Sequence, residues 1–118
     1  MDVMSRETLD KLHGRPASQS CGLVDFDKAE VRPGIVNGTW ILVVRGDAPC
    51  ANMRIELVPL IYIQRPDYWE IEVVGCVAGP VCLPQTKPFT EALPLDGVLG
   101  TAGIEVVGAS RRQQISVP

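Results

Sequence analysis

The sequence has few of the residues that catalytic sites commonly use. It contains one histidine, His13, and six aromatic side chains among 118 residues. A nucleophile needs a positioned base beside it, whereas His13 lies in a polar N-terminal stretch. A glycine-rich phosphate loop followed by Lys-Ser or Lys-Thr is also missing. We therefore predict no catalytic residues and no cofactor, which favours a non-catalytic protein over an enzyme.

Clusters of basic residues and long apolar runs are lacking as well. Eleven Lys and Arg stand against fourteen Asp and Glu, which gives a formal net charge of −3. No basic patch is therefore available to contact a phosphate backbone. The longest apolar stretch, residues 57–63, is far shorter than the roughly 20 residues that span a bilayer. These absences argue against nucleic acid and membranes as partners.

The first twenty residues differ in composition from the rest of the chain. Residues 1–15 are rich in charge and contain no apolar segment of a secretory signal, which predicts a cytoplasmic location. Residues 14–20 have the composition of a loop. We expect residues 1–20 to form a mobile arm and residues 21–118 to form a single β-domain.

After residue 20 the sequence is typical of an all-β protein. β-Branched and aromatic runs alternate with Gly and Pro at short intervals, and no amphipathic helical segment is present to connect parallel strands. We predict an antiparallel β-sandwich of about seven strands, with a small β-barrel as the alternative. The predicted strands are residues 23–31, 35–36 continuing past Asn37-Gly38, 39–45, 53–63, 68–77, 89–93 and 104–107, with 114–117 as a weaker edge strand and hairpin turns at 37–38 and 46–47.

Alternation along the strands predicts which face is buried. Ile71 and Val73 point to one face while Glu70 and Glu72 point to the other. The predicted core residues are Trp40, Leu42, Ile55, Leu57, Ile71, Val73, Ile104 and Val106. The strand glutamates, Glu56, Glu70, Glu72 and Glu105, are interpreted as a solvated face rather than as a Ca²⁺ or acid–base site.

Four cysteines, Cys21, Cys50, Cys76 and Cys82, are open to three interpretations. The bend at Gly79-Pro80 could bring Cys82 toward Cys76, so a disulfide or redox role for these two is the first. A four-sulfur zinc site is the second, but zinc-binding pairs are two to four residues apart and none occurs here, so we predict no metal. Reduced cysteines packed as small apolar residues are the third, and a cytoplasmic location favours it.

The segment before the predicted strand 68–77 is a candidate binding surface. Arg65, Asp67, Tyr68 and Trp69 combine two of the six aromatic residues with two charges, and Tyr, Trp and Arg are enriched in binding hot spots. The simpler interpretation, which we favour, is that Pro66 and Asp67 shape a turn and Trp69 enters the core.

These observations predict a non-catalytic binding or assembly module of unknown ligand. The alternative is a cysteine-dependent redox or metal-binding protein that uses Cys76 and Cys82. Residues 60–63 are apolar on both faces and need cover. We therefore predict a protein partner or self-association, with a homodimer through Tyr62 and Ile63 as the simplest form.

Overall fold

The computed structural model describes residues 19–118. The predicted mobile arm, including His13, lies outside the described residues except for its last two positions, which belong to the first strand. The described residues form eight strands and no helix: β1 (Gln19–Leu23), β2 (Lys28–Pro33), β3 (Trp40–Ala48), β4 (Met53–Pro59), β5 (Tyr68–Ala78), β6 (Lys87–Pro94), β7 (Gly103–Val107) and β8 (Arg112–Ser116).

The strands form two mostly antiparallel sheets, one of five strands and one of three. This confirms the predicted all-β sandwich. The barrel alternative is wrong, because the strands remain in two separate sheets and do not close on themselves. The three-stranded sheet has the order β2-β3-β6, and both of its pairings are antiparallel.

The five-stranded sheet is organised around β5. Along one edge, residues 71–77 pair antiparallel with β4. The other edge is shared by two strands placed end to end: residues 68–72 pair with β7 in parallel, and residues 74–78 pair with β1 antiparallel. β8 then pairs antiparallel with the far edge of β7.

Besides the predicted strand 53–63, which ends at residue 59, three sequence predictions about strand bounds and turns are wrong. Residues 23–31 are not one strand, because the chain turns at residues 24–27 between β1 and β2. The predicted strand does not continue past Asn37-Gly38, because residues 34–39 form the β2–β3 turn, in which Gly38 has a φ of 83°. Residues 46–47 form no hairpin and lie inside β3.

The core lies between the two sheets. It contains Leu42 and Val44 from β3, and on the opposite side buried Ile and Val side chains of β4, β5 and β7. Six of the eight predicted core residues are buried, whereas Trp40 and Leu57 are half-buried and pack against that core. Alternation therefore identified the inner faces correctly. Complete burial of one such apolar side chain stabilises the fold by about 1.5–3 kcal/mol relative to an exposed one.

The 24–27 corner is fastened to the turn between β7 and β8. The Asp25 carboxylate accepts hydrogen bonds from the backbone N–H and the hydroxyl of Ser110, which lower its pKa. Arg111 donates from Nη1 to the carbonyl oxygens of Phe26 and Asp27, and its guanidinium lies 4.5 Å from the centre of the Phe26 ring. These contacts fasten the corner at which the chain passes from the five-stranded to the three-stranded sheet to the turn between β7 and β8.

Candidate functional site

A groove of about 480 Å³ opens at the end of the sandwich where β3 and β5 begin. It lies between the start of β3, the segment that joins β4 to β5, and the loop that follows β6. We call it the aromatic groove. Its principal side chains are three aromatic, three aliphatic and two charged residues: Trp40, Tyr62, Trp69, Ile63, Leu95, Leu99, Arg65 and Asp96.

Trp69 and Tyr62 form a fixed wall of this groove. Their rings meet edge to face, with centroids 5.1 Å apart and planes at 79°, an arrangement that aromatic quadrupoles favour. The Trp69 indole Nε1 donates to the carbonyl oxygen of Leu60 at 2.9 Å, and the Tyr62 hydroxyl accepts from the backbone N–H of Glu70 at 3.4 Å. Because the indole N–H and the phenol oxygen both have backbone partners, the two rings turn mainly their apolar faces to a ligand.

Arg65 holds the opposite sides of the groove together. Its Nε donates to the carbonyl oxygen of Leu99 at 2.7 Å, and its Nη2 donates to that of Gly100 at 3.1 Å. The side chain remains exposed at the groove mouth. Arg65 therefore fixes the loop after β6 and still presents a positive charge to solvent.

Asp67 shapes the turn before β7. Its Oδ1 accepts from the Thr101 hydroxyl at 2.8 Å, and its backbone oxygen accepts from the N–H groups of Ala102 and Gly103. A Cβ added at Gly100 would lie 2.3 Å from that same oxygen. Only glycine allows the two segments to approach so closely here.

The structure divides the predicted binding set into two pairs. Arg65 and Trp69 line the groove, whereas in the described part of the chain its lining does not include Asp67 or Tyr68. Tyr68 is half-buried in β5 opposite Gly103. Sequence reasoning missed Trp40, which it assigned to the core. It also missed the loop residues Leu95, Asp96 and Leu99, which carry no local signal of a site.

Two loops beside the groove carry exposed aliphatic side chains. Ile35 and Val36, in the β2–β3 turn, are 98% and 67% exposed, and Ile61 and Ile63, after β4, are 97% and 104% exposed. We call these four residues the apolar rim. Gly38 of the turn and Ile63 of the segment both line the groove, so both loops border it. Single exposed aliphatic residues are ordinary, but such a cluster is typical of an interaction site.

The predicted self-association residues do not share one orientation. Ile63 is fully exposed, but Tyr62 is half-buried and turned toward Trp69. Past Pro59 the chain leaves the sheet, so the strand predicted to reach residue 63 ends at residue 59. Ile61 and Ile63 consequently project together on the outer side of this segment.

All four cysteines are in disulfides, toward the other end of the sandwich. Cys21 and Cys76 are directly opposite one another on β1 and β5, with Cα atoms 4.1 Å apart. Cys50, after β3, is joined to Cys82, after β5, over a Cα separation of 5.4 Å. Cys76 and Cys82 therefore each pair with a distant partner rather than with one another. This pairing counts against a redox or metal role for free thiolates at these positions.

Three of the four strand glutamates, Glu56, Glu70 and Glu105, lie next to arginines. Arg112 of β8 contacts Glu105 of β7 at 3.0 Å and Glu70 of β5 at 3.7 Å, and this hydrogen bonding raises the pKa of its guanidinium. Arg54 and Glu56 of β4 lie 4.0 Å apart. Within residues 19–118 no group of three or more His, Cys, Asp or Glu side chains is arranged to hold a metal ion.

Comparison of the chain with protein-family models, curated proteins and solved structures finds no match. Among residues 19–118 there is also no helix of the length and hydropathy needed to cross a bilayer. The fold defines the class of protein, a disulfide-linked two-sheet β-domain. The aromatic groove and its apolar rim are the features on which a functional conclusion must rest.

Proposed function

We propose that the protein is a non-catalytic binding or assembly module whose binding surface is the aromatic groove with its apolar rim. The observation that carries this proposal is the nearly complete exposure of Ile35, Ile61 and Ile63 on two loops beside one groove. Covering one such side chain is worth about 1.5–3 kcal/mol. A partner that covers all of them therefore gains a large part of the free energy needed for specific association.

The rigidity of the groove supports the same function. Trp69, Tyr62 and Arg65 are each held by hydrogen bonds to backbone atoms, so their side chains lose little freedom when a partner binds. The indole N–H already donates to a carbonyl oxygen, and the phenol oxygen already accepts from a backbone N–H. The surface is therefore better suited to the apolar side chains of another protein.

The two disulfides bear on where the module works. A reducing cytoplasm, the location predicted from the sequence, keeps thiols unpaired, whereas structural disulfides persist in oxidising compartments. The cytoplasmic location stays a prediction. The pairing of Cys21 with Cys76 and of Cys50 with Cys82 instead favours an oxidising compartment. We propose that the domain acts in an oxidising compartment. Alkylation of thiols in intact source cells, followed by mass analysis, tests this.

Photocrosslinking tests the binding surface directly. A photoreactive residue at position 61 is expected to give adducts with a protein partner in source-cell extract. The matched control is position 81, where Val81 is 59% exposed at the other end of the sandwich. Adding Ile63→Lys to the position-61 probe should remove its adducts, whereas Leu83→Lys should not. Absence of adducts at position 61, or identical adducts at position 81, would refute the proposal.

A further inference from the structure

The aromatic groove and the apolar rim are opposite kinds of surface feature that lie side by side. The groove is a recess of about 480 Å³, and the rim beside it projects fully exposed isoleucine side chains. In a two-fold dimer the same patch on each copy faces the other. The rim of each copy can then enter the groove of its partner, so that the contact is made twice. A surface with both features is suited to its own copy.

The charges of the groove are also self-complementary. Among the side chains that line it, the charged ones are one cation, Arg65, and one anion, Asp96, and both are exposed. A patch of one charge sign repels its own copy, whereas a patch with one charge of each sign can pair reciprocally across a two-fold axis. Arg65 of each copy would then face Asp96 of the other.

The exposed apolar area of the rim supplies part of a small interface. A fully exposed isoleucine side chain presents about 120 Å² of apolar surface, so the rim presents about 400 Å² on each copy. A standard specific interface covers about 800 Å² on each partner. The rim therefore supplies about half of that area, and the groove walls with the polar side chains beside them, such as Gln64 and Asn37, are available for the remainder.

From these three observations we infer that the partner of the aromatic groove is a second copy of this chain, bound as a two-fold symmetric dimer. The inference rests on the proposed function, because it names the occupant of the same surface. Each rim covers the groove of the other copy, and the Arg65–Asp96 pair occurs twice. An interface of this size gives a dimer that dissociates on dilution.

Sedimentation velocity of the full chain over a concentration series tests the dimer. The wild type is expected to change from monomer to dimer mass as concentration rises. Ile63→Lys should weaken the dimer at least tenfold, whereas Val81→Lys, an equally polar change at the other end of the sandwich, should leave it unaltered. Circular dichroism verifies that both variants fold. A wild type that stays monomeric throughout, or an Ile63→Lys variant that dimerises normally, would overturn the inference.

Charge reversal at Asp96 tests the two-fold geometry without disturbing Arg65. Asp96→Arg places like charges opposite Arg65 twice in the homodimer, whereas Asp96→Asn only removes the attraction, so the dimer should weaken in the order wild type, Asp96→Asn, Asp96→Arg. Added salt should weaken the wild-type dimer and strengthen the Asp96→Arg dimer, because it screens both attraction and repulsion. Equal dimer affinities for the three proteins would overturn this arrangement.

The two proposals can fail separately. If the probe at position 61 forms adducts only with another protein and the purified chain remains monomeric, the binding module stands and the homodimer is refuted. If position 61 forms no adduct of either kind, the proposed function fails first.

Discussion

Removal of the Cys21–Cys76 disulfide should destabilise the domain strongly. The bond closes a loop across 55 residues of sequence, and the chain-entropy relation assigns such a loop about 4 kcal/mol of stabilisation. Because Cys21 is exposed and Cys76 half-buried, the hydroxyls introduced by Cys21→Ser with Cys76→Ser remain near solvent and add little desolvation cost. Domains of this size have total stabilities of about 5–15 kcal/mol, so the loss is a large fraction.

Thermal and urea unfolding without reductant measure this loss. At about 4 °C for each kcal/mol in a domain of about 100 ordered residues, the Tm should fall by about 15 °C. The matched control, Cys50→Ala with Cys82→Ser, avoids placing a hydroxyl at buried Cys50. It opens a loop across 32 residues and should lose slightly less, about 3.7 kcal/mol. Intact mass after alkylation verifies the pairing. Four alkylated thiols in the native wild type, or a variant with an unchanged urea midpoint, would refute the reasoning.

Three further predictions concern packing, pH and a glycine. Ile71→Ala, at a fully buried core position, should cost about 2–5 kcal/mol in urea unfolding, whereas Ile61→Ala in the exposed rim should cost under about 0.5 kcal/mol; equal costs would contradict the assigned faces. The lowered pKa of Asp25 gives stability that is fully present above the ordinary carboxyl pKa of 3.8 and is lost as pH falls through the lower folded pKa. Asp25→Asn should therefore reduce the pH dependence of the urea midpoint in that acidic range. An unchanged pH dependence would count against the hydrogen bonds between Asp25 and Ser110. Gly100→Ala puts a Cβ 2.3 Å from a backbone oxygen and should lower the Tm and alter tryptophan fluorescence, whereas Gly22→Ala, which meets nothing within 4 Å, should do neither.

Local alternation was sufficient to predict the sheet faces, because it depends only on neighbouring residues. Ile71 and Val73 were assigned to the core from their spacing alone, and both are fully buried. Trp40 follows the same alternation as Leu42 but is the first residue of β3, where it lines the groove. Its half-exposure depends on the position of the strand end in the sandwich, which spacing does not encode.

Long-range pairing could not be predicted from the sequence. The register of β1 on β5 determines the partner of Cys76, and the run 23–31 has no Gly or Pro to reveal the turn at residues 24–27. Likewise, Arg65 and Trp69 were identified from their own segment, whereas Asp96 enters the site because the loop after β6 folds across it. Contacts between distant segments are set by tertiary packing rather than by local propensity.

The shared edge of β5 has a consequence for the timing of folding. One half of that edge pairs with β1, from the start of the described chain, and the other half with β7, which ends at Val107. During synthesis on the ribosome the hydrogen-bonding groups of residues 68–72 that face β7 therefore stay unpaired until residues 103–107 have emerged. The entropy cost of closing a loop of this length is incurred before the contacts that it brings together contribute any stability. The nascent domain thus exposes an unpaired sheet edge until β7 has been made, and during that interval pairing with a wrong strand competes with native folding.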